Sequence, residues 1–451
     1  MPDGSPSRRA PGRIEPAAGA RADAAAGVGA EAGAGARGGR AGFPLGAVAT
    51  IAELDGNPHP LLRRLREREP VSWLPALGGW LVTRHDLASR VMRDSETFTV
   101  DDPRFSTARV VGPSMLSLDG AAHRRHRDPF TQAFHGAQAS ALLESFAVTT
   151  AVRLAARIRA DGQAELRRSL AGPLAVAVVA EVLGLAETDP GVILSWYDAI
   201  VGAVSDMAGQ EGSAGPPGGT ATGGTATGGT ARDAGAGADR GAVAFGMLRA
   251  SLAAAMASGD GRSVLAAAAD GGLAASEVVS NAAVLMFGGI ETTEGMICNA
   301  MLHLLSHPGQ ARQVMAEPGL AENAIEESLR LEPAAAVVDR YATADVRVGA
   351  AAIRRGDLVT VSLAGANRDP AFFADPDTFD VRRANARQNL AFARGPHFCI
   401  GARLARLETR TAVFELLDRL PGLRLDPARR PEPRGVVFRK PPELQVAWDT
   451  G

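Results

Sequence analysis

The sequence predicts a mainly α-helical protein with a minor β part, and three observations carry that prediction. From about His85 onward most segments space their apolar residues for a helix, in runs rich in Ala, Leu and Arg. Strand-like stretches are short: Val71-Ser72-Trp73 and Trp80-Leu81-Val82-Thr83 around Gly78-Gly79 read as a strand pair, and Leu358-Val359-Thr360-Val361 and the C-terminal residues briefly repeat the pattern. The 451 residues are 46% hydrophobic, yet no apolar run approaches the ~18 residues of a membrane-spanning helix. A soluble, globular protein without a membrane anchor is expected.

Charge and cysteine content narrow the function classes. A formal net charge of −2 is not that of a general nucleic-acid binder, which carries a basic excess. The two cysteines, Cys298 and Cys399, are fewer than a secreted disulfide framework uses, which points to a reducing cytoplasm.

Residues 1–42 are Ala, Gly and Arg with scattered acids and lack the apolar core of a secretory signal, so they read as a disordered tail. Order is expected from Phe43, with one catalytic domain over 43–451. Between Asp206 and Arg240 the composition collapses to Gly, Ala, Thr and Ser, and Gly218-Gly219-Thr220-Ala221-Thr222 recurs as Gly223-Gly224-Thr225-Ala226-Thr227. That segment, 206–240, reads as a flexible insert joining helical patterns at Val192–Val204 and Ala242–Met256. It is either a lid or a neutral repeat expansion.

A long helix is predicted from about Ser276 to Ser306, containing Leu285-Met286-Phe287-Gly288-Gly289-Ile290-Glu291-Thr292-Thr293. Each mid-helix glycine costs about 1 kcal/mol against alanine, so the pair needs a reason such as close ligand approach. The Thr292 hydroxyl can bond the carbonyl four residues back, at Gly288, and open a small groove there. Further on, Glu327-Ser328-Leu329-Arg330 places an acid and a base three apart on one helix face, a weak signal alone.

The strongest local pattern is Phe392-Ala393-Arg394-Gly395-Pro396-His397-Phe398-Cys399-Ile400-Gly401-Ala402, leading into the helical run Arg403-Leu404-Ala405-Arg406-Leu407-Glu408. Cys399 sits just before a helix, where free backbone N–H groups and the positive end of the dipole favour a thiolate, the form that binds metal. Gly395 and Gly401 remove side chains where a flat macrocycle would approach, and Gly395 also permits a tight turn.

The pattern Phe392-x-x-Gly395-x-His397-x-Cys399-x-Gly401 resembles the haem-binding signature of the cytochrome P-450 superfamily, with Ala393 where many members carry glycine. The resemblance runs from about Phe43 to Val446 and implies the P-450 fold: one haem b between the long central helix and the cysteine loop, with Cys399 as iron ligand. Gly288, Gly289, Glu291 and Thr292 then match the groove over the distal haem face, the acid and alcohol relaying protons to the site of dioxygen binding. Glu327 and Arg330, with Arg383 in Phe379-Asp380-Val381-Arg382-Arg383, become a structural network. His123, Arg127, Arg340 and His397 match the partners of the haem propionates, to which arginine's planar fork is suited. Phe392, Gly395 and Gly401 complete the cofactor contacts, and Met286, Phe287, Val337, Val338, Val436 and Val437 are expected to wall the substrate pocket.

The activity so implied is hydroxylation or epoxidation of a hydrophobic small molecule, in secondary metabolism, by a monomer. Electrons would come from a separate ferredoxin and ferredoxin reductase, the ferredoxin docking on a basic patch of Arg124, Arg125, Arg394, Arg403 and Arg406. Two rivals remain. A peroxide-using peroxygenase usually replaces the Glu291–Thr292 pair, and a non-catalytic haem-thiolate or carrier-protein binder could lose it; the pair is present.

Overall fold

The computed structural model describes residues 40, 42–135, 137–213, 231–258, 264–429 and 431–450. Order follows Phe43 directly: helices α1 (Pro44–Ala47), α2 (Ile51–Asp55) and α3 (His59–Arg68) lead into strands β1 (Val71–Leu74) and β2 (Gly79–Val82). Then come α4 (His85–Arg93), β3 (Phe98–Thr99), α5 (Ser106–Val111), α6 (Gly120–His135), α7 (Ala137–Ile158), β4 (Gln163–Glu165), α8 (Gly172–Val182) and α9 (Pro190–Ser213). After α10 (Ala231–Ser258) and α11 (Val264–Asp270), the long helix α12 (Ala275–Ser306) is followed by α13 (Pro308–Ala316) and α14 (Ala321–Leu331). The rest is β5 (Val337–Ala342), β6 (Val346–Val348), β7 (Ala351–Ile353), β8 (Leu358–Ser362), α15 (Leu363–Ala366), α16 (Ala402–Arg419), β9 (Arg424–Leu425) and β10 (Gln445–Ala447). The mainly helical architecture with a minor sheet is as the sequence predicts.

The expected strand pair forms in the register Val71↔Val82 to Leu74↔Gly79, turned by a short helical segment at Pro75–Leu77 and by Gly78 at φ +61°. Phe43 meets the Trp80 ring edge-on at 5.1 Å, which ties the start of the described fold to this sheet. β2 pairs in parallel with β8, β8 pairs antiparallel with β5, and β3 closes the far edge, giving the order β1-β2-β8-β5-β3. β5 is half-buried at Val337, Val338 and Asp339 and fully buried from Arg340, so its first residues are free to line a cavity.

α12 spans 32 residues and is apolar almost all round, the pattern of a helix enclosed by others. Its start is fixed by Glu277, whose carboxylate accepts the Ala274 N–H at 2.9 Å. The largest core cluster gathers α7, α8, α9, α12 and α16 around it, with Leu170, Leu174, Met286, Ile290, Ile297 and Leu416 all fully buried.

The segment expected to be an insert, 206–240, is shortened at both ends. α9 continues to Ser213 and α10 begins at Ala231, because the glycines there alternate with alanine, the best helix former. Residues 214–230, with the pentapeptide repeat and the lid reading, lie outside the described residues, as do residues 1–39 and 41 of the expected tail.

Candidate active site

The cysteine loop is closed by its own backbone. The Cys399 N–H donates to the Phe392 carbonyl at 3.0 Å and the Phe398 N–H to Gly395 at 3.1 Å. Gly395 has φ +75°, and a Cβ there would sit 2.5 Å from the Met92 carbonyl oxygen. Glycine at 395 is thus required by a left-handed turn packed against α4, the tight turn that the sequence suggests there. Gly401 fits the expected approach of a macrocycle better: it lines the same cavity as Cys399, and a Cβ would lie 4.0 Å from the sulfur. Arg127 donates to the Phe398 carbonyl, and the Arg406 guanidinium lies 4.3 Å from the centre of the Phe392 ring.

Cys399 is exposed to a cavity of about 1290 Å³, whose wall it forms with its neighbours. Burial pushes its thiol up, against the Gly401 N–H and the Arg127 and Arg406 charges, which pull it down. The helix-terminus effect is therefore real but outweighed. A coordinated cation deprotonates such a thiol outright, so a bound metal would itself make Cys399 the thiolate.

α12 contributes Leu285, Phe287, Gly288, Gly289, Thr292 and Met296 to the wall of this cavity. The Thr292 hydroxyl donates to the Gly288 carbonyl at 2.6 Å, as its spacing predicts. Gly288 has nothing within 4 Å of a would-be Cβ, whereas a Cβ on Gly289 would stand 2.6 Å from Val179 Cγ2. Gly289 is thus needed for close packing of α12 on α8. Met286 does not line the cavity but is fully buried in the helical core. Glu291 is absent from the cavity wall as well. Its Oε1 is held at 2.8 Å by Lys440 Nζ, which also reaches Glu294 Oε1 at 2.7 Å. Phe287, Val337, Val338, Val436 and Val437 all line the cavity as expected.

Four cationic or donor groups were expected to meet anionic haem edges, and the structure tests that fit. Arg127, Arg340 and His397 line the Cys399 cavity; His123 lies just behind, its ring 4.4 Å from that of His397. Arg340 is 4% exposed, yet its guanidinium donates only to the Asp339 carbonyl at 2.7 Å and has no carboxylate partner among the described residues. The Nε2 of His123 is buried without a hydrogen-bond partner. Burial, then the neighbouring His397 and Arg127, lower His123 to about 4. His397 is also lowered by burial, opposed by Asp119, whose Oδ1 lies 2.8 Å from its Nε2. Buried donors left over in this way are costly unless an acceptor meets them, and the two carboxylates of haem b suit Arg340, Arg127 and His123.

The acid–base pair on α14 becomes a buried triad. Arg330 donates through Nε and Nη2 to both Glu327 oxygens at 2.6 and 2.8 Å, and Arg383 Nε approaches them at 2.9 and 3.0 Å. Both guanidiniums also cap carbonyls, among them Thr378, in the segment leading to the cysteine loop. The expected basic patch is partly neutralised. Arg125 pairs with Glu277 and Arg406 with Glu326, and the groove that holds Arg394, Arg403 and Arg406 also presents Glu144, Glu322 and Glu326. Sequence reading missed Glu408, a buried residue on the cavity wall with one unpartnered oxygen, whose carboxyl burial pushes well up. It also missed Lys440, although the sequence marks it: it is the chain's only lysine.

Comparison with known proteins agrees with this arrangement. Residues 260–446 match the family model described as Cytochrome P450. The chain is 33% identical over 392 residues to the cytochrome P450 monooxygenase PikC of Streptomyces venezuelae, covering 85% of this chain and 88% of that one. It is 32% identical over 402 residues to the mycinamicin IV hydroxylase/epoxidase of Micromonospora griseorubida, covering 85% and 94%. The crystal structure of CalO2 superposes with a TM-score of 0.76 at 29% identity, covering 90% of this chain and 100% of that one. The chain belongs to the cytochrome P450 family. It is a P450 monooxygenase acting on small hydrophobic molecules, and the family implies a haem b. No helix among the described residues is long and apolar enough to cross a membrane.

Proposed function

We propose that this chain is a haem-thiolate monooxygenase that hydroxylates or epoxidises a bulky hydrophobic small molecule of secondary metabolism, with Cys399 as the iron ligand. One observation supports this most: Cys399, the Gly288–Thr292 groove and the side chains of Arg340, Arg127 and His397 share a single, largely apolar cavity. The haem, when bound, supplies the activation of dioxygen. Arg340, Arg127, His123 and His397 hold its propionates. Thr292, bonded to Gly288, keeps a hydroxyl in the groove, and Glu291 in the adjacent position is the acid that exchanges protons with it. Leu285, Phe287, Val337, Val338, Val436 and Val437 present apolar surface that excludes water and takes a lipophilic substrate. The name of the mycinamicin IV hydroxylase/epoxidase is consistent with both reaction outcomes.

Electrons come from a separate ferredoxin and its reductase in the cytoplasm, the ferredoxin meeting the groove that carries Arg394, Arg403 and Arg406. The protein acts as a monomer. The test is the carbon monoxide difference spectrum of the dithionite-reduced protein. A Soret band at the long-wavelength thiolate position, lost in Cys399→Ser, is expected; a short-wavelength band in the unaltered protein would remove the thiolate assignment. Hydrogen peroxide alone should sustain no turnover.

A further inference from the structure

The chain's single lysine, which the roles given above do not use, sits at the hub of an ion cluster that includes Glu291. Lys440, with an 11% exposed side chain, bridges Glu291 and Glu294 on consecutive turns of α12, and Arg167 donates to the same Glu294 oxygen, Oε1, and to the Pro442 carbonyl at 3.0 Å. An ammonium is a compact charge with rotatable donors, so it can serve two carboxylates and release one while keeping the other; arginine's fixed fork is less suited to that. All other basic side chains that carry a permanent charge in this sequence are arginines.

Lys440 closes a hairpin. Its backbone pairs with Arg434 in both directions, and the turn between them depends on Gly435, at φ +116°, where a Cβ would collide with the Phe438 carbonyl oxygen at 1.9 Å. The hairpin tip, Val436 to Phe438, lines the cavity. Arg439 anchors it on the far side, with Nε 2.8 Å from Glu332 and further bonds to the carbonyls of Leu54, Asp55 and Gly56. Among the contacts of the hairpin with α12, two lie one turn apart at its cavity end: Phe438 meets Phe287 edge-on at 5.3 Å inside the cavity, and Lys440 meets Glu291 outside it, while Lys440–Glu294 and the Asn299 bond to the Arg439 carbonyl at 2.9 Å hold the hairpin further along the helix. Both contacts join the same two elements, so a ligand that parts the phenylalanines also strains the ion pair.

We infer that Lys440 is a positioning residue that latches Glu291 away from the groove until the cavity is occupied, and that a ligand wedged between Phe287 and Phe438 opens the latch. This rests on the proposed role of Glu291. With the latch closed, the carboxylate is engaged by Lys440 and its proton exchange with Thr292 is suppressed; with it open, Lys440 stays on Glu294 and Glu291 turns to the groove.

Because the chain has one lysine, amine acetylation followed by peptide mass spectrometry reads the latch directly. In the haem-loaded enzyme Lys440 should acetylate at least tenfold more slowly than a control lysine introduced at the exposed Arg124 (Arg124→Lys). Clotrimazole, a bulky azole whose binding is followed from the Soret shift, should raise the Lys440 rate several-fold and leave the control unchanged, and Glu291→Gln should raise it without ligand. With a surrogate ferredoxin and reductase, Lys440→Met should consume reduced nicotinamide several-fold faster than the unaltered enzyme when no substrate is present, and Lys440→Arg should restore part of the restraint. An intact thiolate band with a Lys440 rate indifferent to bound clotrimazole would overturn the latch alone. Loss of the band in the unaltered protein would overturn the haem-thiolate reading and the latch with it.

Discussion

Ala393 and Gly395, two residues apart in the cysteine loop, both lie in the left-handed region, at φ +58° and +75°. For a residue with a Cβ that conformation costs roughly 1–2 kcal/mol, while glycine loses roughly 0.5–1 kcal/mol more backbone entropy than alanine on folding. The two nearly cancel at 393, so Ala393→Gly should shift the unfolding free energy by less than about 1 kcal/mol. Gly395→Ala adds a clash with Met92 and should abolish haem retention, read as the absorbance ratio of Soret to protein bands. A second residue contributes to the response to acid, beside the other buried histidines, His123 among them. His303 on α12 is buried, with Nδ1 2.9 Å from Ser328 Oγ, and burial lowers it to about 3. A depressed histidine means that the unfolded chain takes the proton first, so stability is full above about pH 6.5 and falls as the pH drops towards 3. Urea midpoints between pH 7 and 5 should decline less steeply in His303→Gln; parallel slopes would assign the acid response elsewhere. Cys399 stood out in the sequence because its pattern is local, whereas Glu327, Arg330 and Arg383 were joined only by the family resemblance, their spacing being a weak signal alone. The partner of Glu291 was not legible, since Lys440 approaches from a distant segment and nothing in spacing announces a tertiary ion pair.

At the level of elements, the contact of α12 with α8 separates the two central glycines. Gly289→Ala pushes a methyl into Val179, whose branched side chain has little rotamer freedom in a helix, and should cost about 1–3 kcal/mol in thermal unfolding. Val179→Ala in the same molecule should recover much of it. Gly288→Ala meets no atom and gains helix propensity, about 1 kcal/mol, while narrowing the groove beside Thr292. The α14 triad behaves oppositely: Glu327→Gln leaves Arg330 and Arg383 buried without a counter-ion, a loss of about 3–5 kcal/mol. Existence of the long helix, the strand pair and the β8 strand was readable from periodicity. Helical phase was less so, because α12 is apolar nearly all round and its hydrophobic pattern does not tell Leu285, on the cavity, from Met286, in the core. The ends of α9 and α10 escaped because glycine was weighed as a breaker where alanine carries the helix.

Over the whole molecule, the cavity that holds Cys399 is bounded by the helical core and the five-stranded sheet, so filling it should stabilise the fold as a unit. A cofactor at a thousand times its dissociation constant contributes about 4 kcal/mol by mass action. Haem extraction should accordingly lower the unfolding temperature and leave Cys399→Ser, which lacks the iron–sulfur bond, closer to the extracted protein than to the loaded one. Composition alone had indicated a globular, mainly helical chain, but not how its ends meet: β2 runs beside β8, and Arg439 satisfies the carbonyls of Leu54, Asp55 and Gly56 at the end of α2. That closure has a consequence during synthesis. As the chain emerges from the ribosome its helices can already associate, but β2 has no neighbour until β8 follows, and the carbonyls of Leu54, Asp55 and Gly56 wait for Arg439. Contacts so remote in sequence form slowly. Joining the early strands to the later ones is thus expected to be a late event in folding, and capture of the prosthetic group to follow it.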